Sequence, residues 1–206
     1  MAFTVEDLQD QSKFRLIKKI EYNNLLNFVL AYLGRHSFLT SIFWSVCLFF
    51  LSTAVYIRIT ITGSYQYGNI FLHSILGMFI FPLVIIPIHE LLHIIPYYIF
   101  GARDIRTGMD LKQYLFYASA HNFVASPAQF KVIALTPFFL ISVSTFILIL
   151  FLPGLWKWSL SLLLFIHATC CAGDFALLNF YLFNNGKRIY TWDDTDKKEA
   201  YYYEKL

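Results

Sequence analysis

An all-α membrane protein of about four transmembrane helices, with a cytoplasmic β-hairpin between the second and third, is the fold class the sequence predicts. Three observations carry it. Of the 206 residues, 58% are hydrophobic and only 14% charged, whereas a soluble domain is nearer a quarter charged. The apolar residues fall into four runs, each long enough to cross about 30 Å of hydrocarbon. The Lys and Arg counts of the flanking segments alternate, 5 in residues 1–37, 1 in the first loop, 4 from Arg103 to Lys131, 1 at Lys157 and 5 in the tail. That pattern predicts both termini and the second connector on the cytoplasmic side. Nucleic acid is excluded as a partner, because the basic residues flank spans instead of forming one stripe.

Residues 1–37 form an amphipathic, basic lead-in. Phe14, Leu16, Ile17 and Ile20 alternate with Lys13, Arg15, Lys18 and Lys19, which predicts a helix lying on the bilayer surface with its lysines toward anionic lipid. No short apolar stretch precedes a small-residue cleavage site, so no cleavable signal peptide is expected. Residues 38–185 make up the four-span membrane domain and 186–206 a polar cytoplasmic tail.

The first span is Phe38 to Ile57. The second runs from about Ile70 to Phe100, at 1.5 Å per residue about 46 Å of helix. It must tilt, kink or protrude, and Pro82, Pro87 and Pro96 are its kink points. The connector 102–129 is too polar to cross. Asp104–Leu111 and Gln113–Asn122 predict two extended pieces around a turn. Ser126 is placed to cap the next helix, with Pro127 at its first position. The third span is Phe130 to Leu152, and the fourth is about Ser159 to Phe183.

Inside the second span lies Ile88-His89-Glu90-Leu91-Leu92-His93. Histidines four apart share one helical face and can grip a divalent metal, most often zinc, while the adjacent glutamate activates a water on it. From Phe79 to Phe100 Glu90 is the one charged residue, and an ionisable group at membrane depth marks a functional site. The plainer alternative is a buried polar knot that ties helices together. Catalytic zinc takes three protein ligands. Spans two and four run in the same direction, and His89 and Asp174 fall within roughly 3 Å of the same depth by helical rise. Asp174 is therefore the third ligand predicted, with Gly173 leaving room at its approach. The alternative is a protonated Asp174 bonded to Asn179 or a backbone carbonyl.

Other residues are candidate ligands or substrate contacts. Cys170 precedes Asp174 by four residues and is chemically a good zinc ligand, although a small buried hydrophobe is the commoner role. Three cysteines make no disulfide framework. His167 lies two turns farther up and is an interhelical partner or a support for the ligands. His121 and Asn122 can point in from the connector, Asn122 toward substrate backbone. His73 is too far away.

The order of His-Glu-x-x-His in a span, Ala120-His121-Asn122 closing a polar connector, Leu135-Thr136-Pro137 in the next span and Gly173-Asp174 in the last resembles the bacterial family named putative zincin peptidases. The layout is also similar to site-2 proteases, intramembrane metalloproteases with a later Asp-Gly ligand motif. The resemblance covers about residues 70 to 185, and one departure is that Gly173 here precedes Asp174. It implies an intramembrane zinc metalloprotease, with His89, His93 and Asp174 on Zn²⁺, Glu90 as general base, and a peptide or membrane protein as substrate. The reading from another class is a non-catalytic membrane metalloprotein, an immunity or partner-binding factor, whose structural zinc is closed by Cys170 or His121. A transporter is disfavoured because no half of the chain repeats.

Overall fold

The computed structural model describes residues 3–110 and 115–206. The chain is mostly helical, but it is not all-α: two small sheets sit on one end of the helix bundle. Helices α1 (Val5–Gln9), α2 (Leu25–Leu33), α3 (Phe38–Thr60), α4 (Tyr67–Ile75), α5 (Phe81–Ile99), α6 (Pro127–Phe151), α7 (Gly154–Cys170) and α8 (Ala172–Phe183) alternate with strands β1 (Phe14–Glu21), β2 (Ile105–Asp110), β3 (Leu115–Ala120), β4 (Arg188–Asp194) and β5 (Glu199–Lys205). Three helical segments are long and apolar enough to cross a membrane, and α7 with α8 makes a fourth if that bent pair is one span.

The lead-in departs most from expectation. Residues 14–21 form a strand rather than a surface helix, paired antiparallel with β5. A bulge between Leu16 and Lys18 inserts one residue into the strand. Its less exposed side chains, Phe14 on one face and Ile17 and Ile20 on the other, fall three apart, as on a helix. The tail is likewise structured: β4 and β5 form a hairpin, and β5 is the central strand of a β1-β5-β4 sheet. One sheet face carries Trp192 stacked on Tyr201 at 4.6 Å, and packs with Phe14 and Leu8. The other carries Thr191, Asp193, Ala200 and Tyr202 and looks onto the bundle.

The β2–β3 hairpin matches the pattern seen in the connector, although its turn, residues 111–114, lies outside the described residues. Beyond β3 the chain is stitched to β4: the Ala125 and Thr191 backbones exchange hydrogen bonds of 2.8 and 3.0 Å. Ser126 caps α6 and Pro127 opens it, with Gln129 completing the capping box.

The second span is continuous from Tyr67 to Ile99, 33 residues. Its irregularity is a π-helical turn, Leu76–Ile80, just ahead of Pro82. The break expected at Pro87 is not found, since α5 runs unbroken past Pro87 and Pro96. Gly77 in the π turn lets this helix cross α7 closely, because a Cβ there would meet the Ser159 carbonyl at 2.3 Å. The fourth span, expected as one helix, is instead broken: α7 and α8 meet at 40° around Cys171. Asn179, the alternative partner weighed for Asp174, is engaged elsewhere. It accepts from the Ser37 hydroxyl and donates to the Tyr32 carbonyl, both at 2.6 Å, tying α8 to the α2–α3 joint.

Candidate metal centre

His89 and His93 are buried on the inner face of α5, one turn apart, with ring centroids 5.1 Å from each other. Asp174 reaches them from the first turn of α8, where the amino end of a helix favours a carboxylate. Its two oxygens divide between the rings: Oδ2 lies 3.1 Å from His89 Nε2 and Oδ1 3.6 Å from His93 Nε2. The break at Cys171 creates this arrangement, because it starts a new helix beside the histidines. Glu90 offers an oxygen to the same cluster; one ligating atom each of His89, Glu90 and His93 lie within 4.8 Å of one another. Ala118, in β3, stands beside the Glu90 carboxylate on the cavity wall.

The outer nitrogens fix how the rings face inward. His93 Nδ1 donates to the Ile133 carbonyl at 2.8 Å. That carbonyl is free because its helical donor would be the N–H of residue 137, which is proline. A donating Nδ1 leaves the Nε2 lone pair pointing at Asp174. His89 Nδ1 meets His167 Nε2 at 3.1 Å, and Cys171 Sγ lies 3.7 Å from that same His167 nitrogen. Lone pairs facing a carboxylate call for a cation, and no Lys or Arg lines this cavity among the described residues. Ligands about 2.0–2.1 Å from a tetrahedral zinc lie about 3.3 Å apart, so separations of 3.1 and 3.6 Å suit that ion. The donor set fits.

The other predicted residues are distributed differently. His167 is buried behind His89 on its Nδ1 side. Cys170 lines the cavity but is exposed, and the 40° break removes the shared helical face that made it a ligand candidate beside Asp174. Its neighbour Cys171 is the buried thiol near the rings. His121 and Asn122 do not line the cavity. His121 Nδ1 accepts from the Thr195 backbone N–H at 3.2 Å, and Asn122 is a left-handed turn residue with φ 55°. His73 contacts Ser159 at 2.7 Å, at the far end of the span. Gly173 borders the cavity, and a Cβ added there would meet nothing within 4 Å.

The cavity itself has a volume of about 430 Å³ and lies between the bundle and the sheets. His89, Glu90, His93 and Asp174 form one end. Tyr22, Ser119, Asp193 and Tyr202 form the sheet side, which sequence reasoning missed because it read both ends of the chain as unpaired with each other. The Ser119 hydroxyl donates to the Asp193 carboxylate, and burial pushes that carboxyl up to about 6. The signal available was the alternation of Tyr190 to Asp194, with Tyr and Trp on one face and Thr and Asp on the other.

No curated protein and no solved structure matches the chain. A family model does, across residues 82–190, more than half of the sequence and a stretch that holds the box, the hairpin, Pro137 and Asp174. Its description is "Putative zincin peptidase", a name that implies a metal, typically zinc, and metallopeptidase chemistry. The chain belongs to this putative zincin peptidase family.

Proposed function

We propose that the protein is a multi-pass membrane zinc metallopeptidase in which His89, His93 and Asp174 hold the ion and Glu90 is the general base. The observation that carries this is the convergence of Asp174, 85 residues away in sequence, on the Nε2 atoms of both histidines beside the Glu90 carboxylate. When bound, zinc supplies a Lewis acid that polarises the scissile carbonyl and makes water acidic enough to deprotonate near neutral pH. Glu90 takes the proton of the attacking water and delivers it to the leaving amine. The outer edge of β3, beside Glu90, can receive the peptide as an added strand, which extends the scissile bond. The sheets and hairpin are taken to lie at the cytoplasmic side, from the distribution of basic residues.

The structural-zinc alternative would need another position for the ion, because His167 and Cys171 converge on the Nδ1 side of His89, away from Asp174. His121 is occupied by Thr195, and Cys171 lies toward His89 Nδ1 rather than the Nε2 atom that faces Asp174.

The test is Glu90→Gln, which keeps size and hydrogen bonding and removes the basic oxygen. Zinc content and folding should stay near wild type, and hydrolysis of a fluorescence-quenched peptide library by purified protein should disappear. A Glu90→Gln protein that still cuts would remove the mechanism, and one that loses its zinc would make Glu90 a ligand.

A further inference from the structure

The sheet side of the cavity carries a carboxylate for which the proposed chemistry has no use. Asp193 stands on β4, beyond the residues that match the family model. It is half-buried, lines the cavity, and takes one hydrogen bond from Ser119. No Lys or Arg pairs with it or lines the cavity among the described residues. Burial without a cation is why its carboxyl sits so high, at about 6.

What surrounds it is aromatic. Tyr22 and Tyr202 line the same wall, and Tyr117 packs edge-on against Tyr22 with centroids 5.1 Å apart. Aromatic faces around a lone carboxylate suit an organic cation, through cation–π contact and a charge-assisted hydrogen bond. Asp193 and Glu90 line the same cavity, and β3 runs between them, with Ala118 beside Glu90 and Ser119 bonded to Asp193.

We infer that Asp193 is a substrate subsite that binds a cationic group of the peptide, a Lys or Arg side chain or the terminal ammonium. This rests on the peptidase reading, and binding can be tested apart from cleavage. The probes are dye-labelled, N-acetylated neutral peptides in which one Lys is moved through every position, each compared with its Gln counterpart. A third type carries Gln and a free amino terminus. Binding is measured by fluorescence anisotropy on zinc-loaded Glu90→Gln protein in a neutral detergent.

A Lys peptide should bind about tenfold more tightly than its Gln counterpart at one or two positions. Asp193→Asn, made in the same background, keeps an acceptor for Ser119 and should bring that ratio close to one. If the advantage belongs to the free-amine peptide instead, the subsite takes the terminal ammonium and the inference stands. Equal binding of all the peptides by the parent protein would overturn it without recourse to any variant, as would an unchanged ratio in Asp193→Asn. A Lys preference in a protein that never cuts any peptide would leave the cation site standing and remove the peptidase reading.

Discussion

His93 is held from outside by a backbone carbonyl and looks inward at Asp174, so neither of its nitrogens is free to choose a role. The local spacing of His89, Glu90 and His93 was visible in the sequence because a helix fixes it. Asp174 was reachable only through an argument about depth, and the structure brings its oxygens to 3.1 and 3.6 Å from the two rings. If Asp174 is a ligand, Asp174→Ala and His93→Ala should each lose more than the roughly 10–100-fold in zinc affinity that outer partners carry. Competition with a chelator of known affinity measures it. Full retention of zinc in either variant would take that residue out of the coordination set. Cys171 rather than Cys170 near the rings was not legible, since an unbroken helix was assumed where the backbone turns by 40°.

At the scale of the element, α6 contributes to the centre through a bond it does not make. Pro137 withholds a donor from Ile133, and the freed carbonyl takes the Nδ1 proton of His93. Pro137→Ala restores the helical donor in competition with the imidazole. Zinc affinity should then fall roughly 10–100-fold, as for loss of an outer-shell partner. Removing an interior proline relieves a cost of about 3 kcal/mol in a helix, which offsets the lost packing, so the metal-free protein should melt no lower than wild type. Parallel losses of melting temperature and zinc would instead mean general damage. The proline was prominent in the sequence, yet its effect falls on a carbonyl four residues earlier and a ring on another helix. The strand β1 was hidden for a related reason, its bulge giving a half-buried strand the spacing of a helix.

For the whole molecule, the segments long and apolar enough to cross a membrane are where hydropathy puts them, with the fourth bent. Orientation rests on the distribution of Lys and Arg, which predicts the sheets on the cytoplasmic side. Labelling intact cells with an impermeant thiol reagent, in a background without native cysteines, should modify a cysteine placed at Ser64 and spare one at Thr107. The reverse result would invert the protein and move the mouth of the cavity to the outer face. The sheet was the part of the architecture least legible, because it joins segments about as far apart as the chain allows. Pairings of that kind leave only short, weak local patterns.

That pairing also sets a schedule. As the chain is made, β1 emerges before the long helices, yet its ladder partner β5 does not exist until residues 199–205 have been added. Throughout the insertion of the spans, β1 waits with an open edge, and the histidine box is already in place without its Asp193 wall. The sheet that walls the cavity is therefore completed only by β5, which lies between β1 and β4. A ribosome stalled before Glu199 would hold a chain with His89, His93 and Asp174 made and the sheet beside them unfinished.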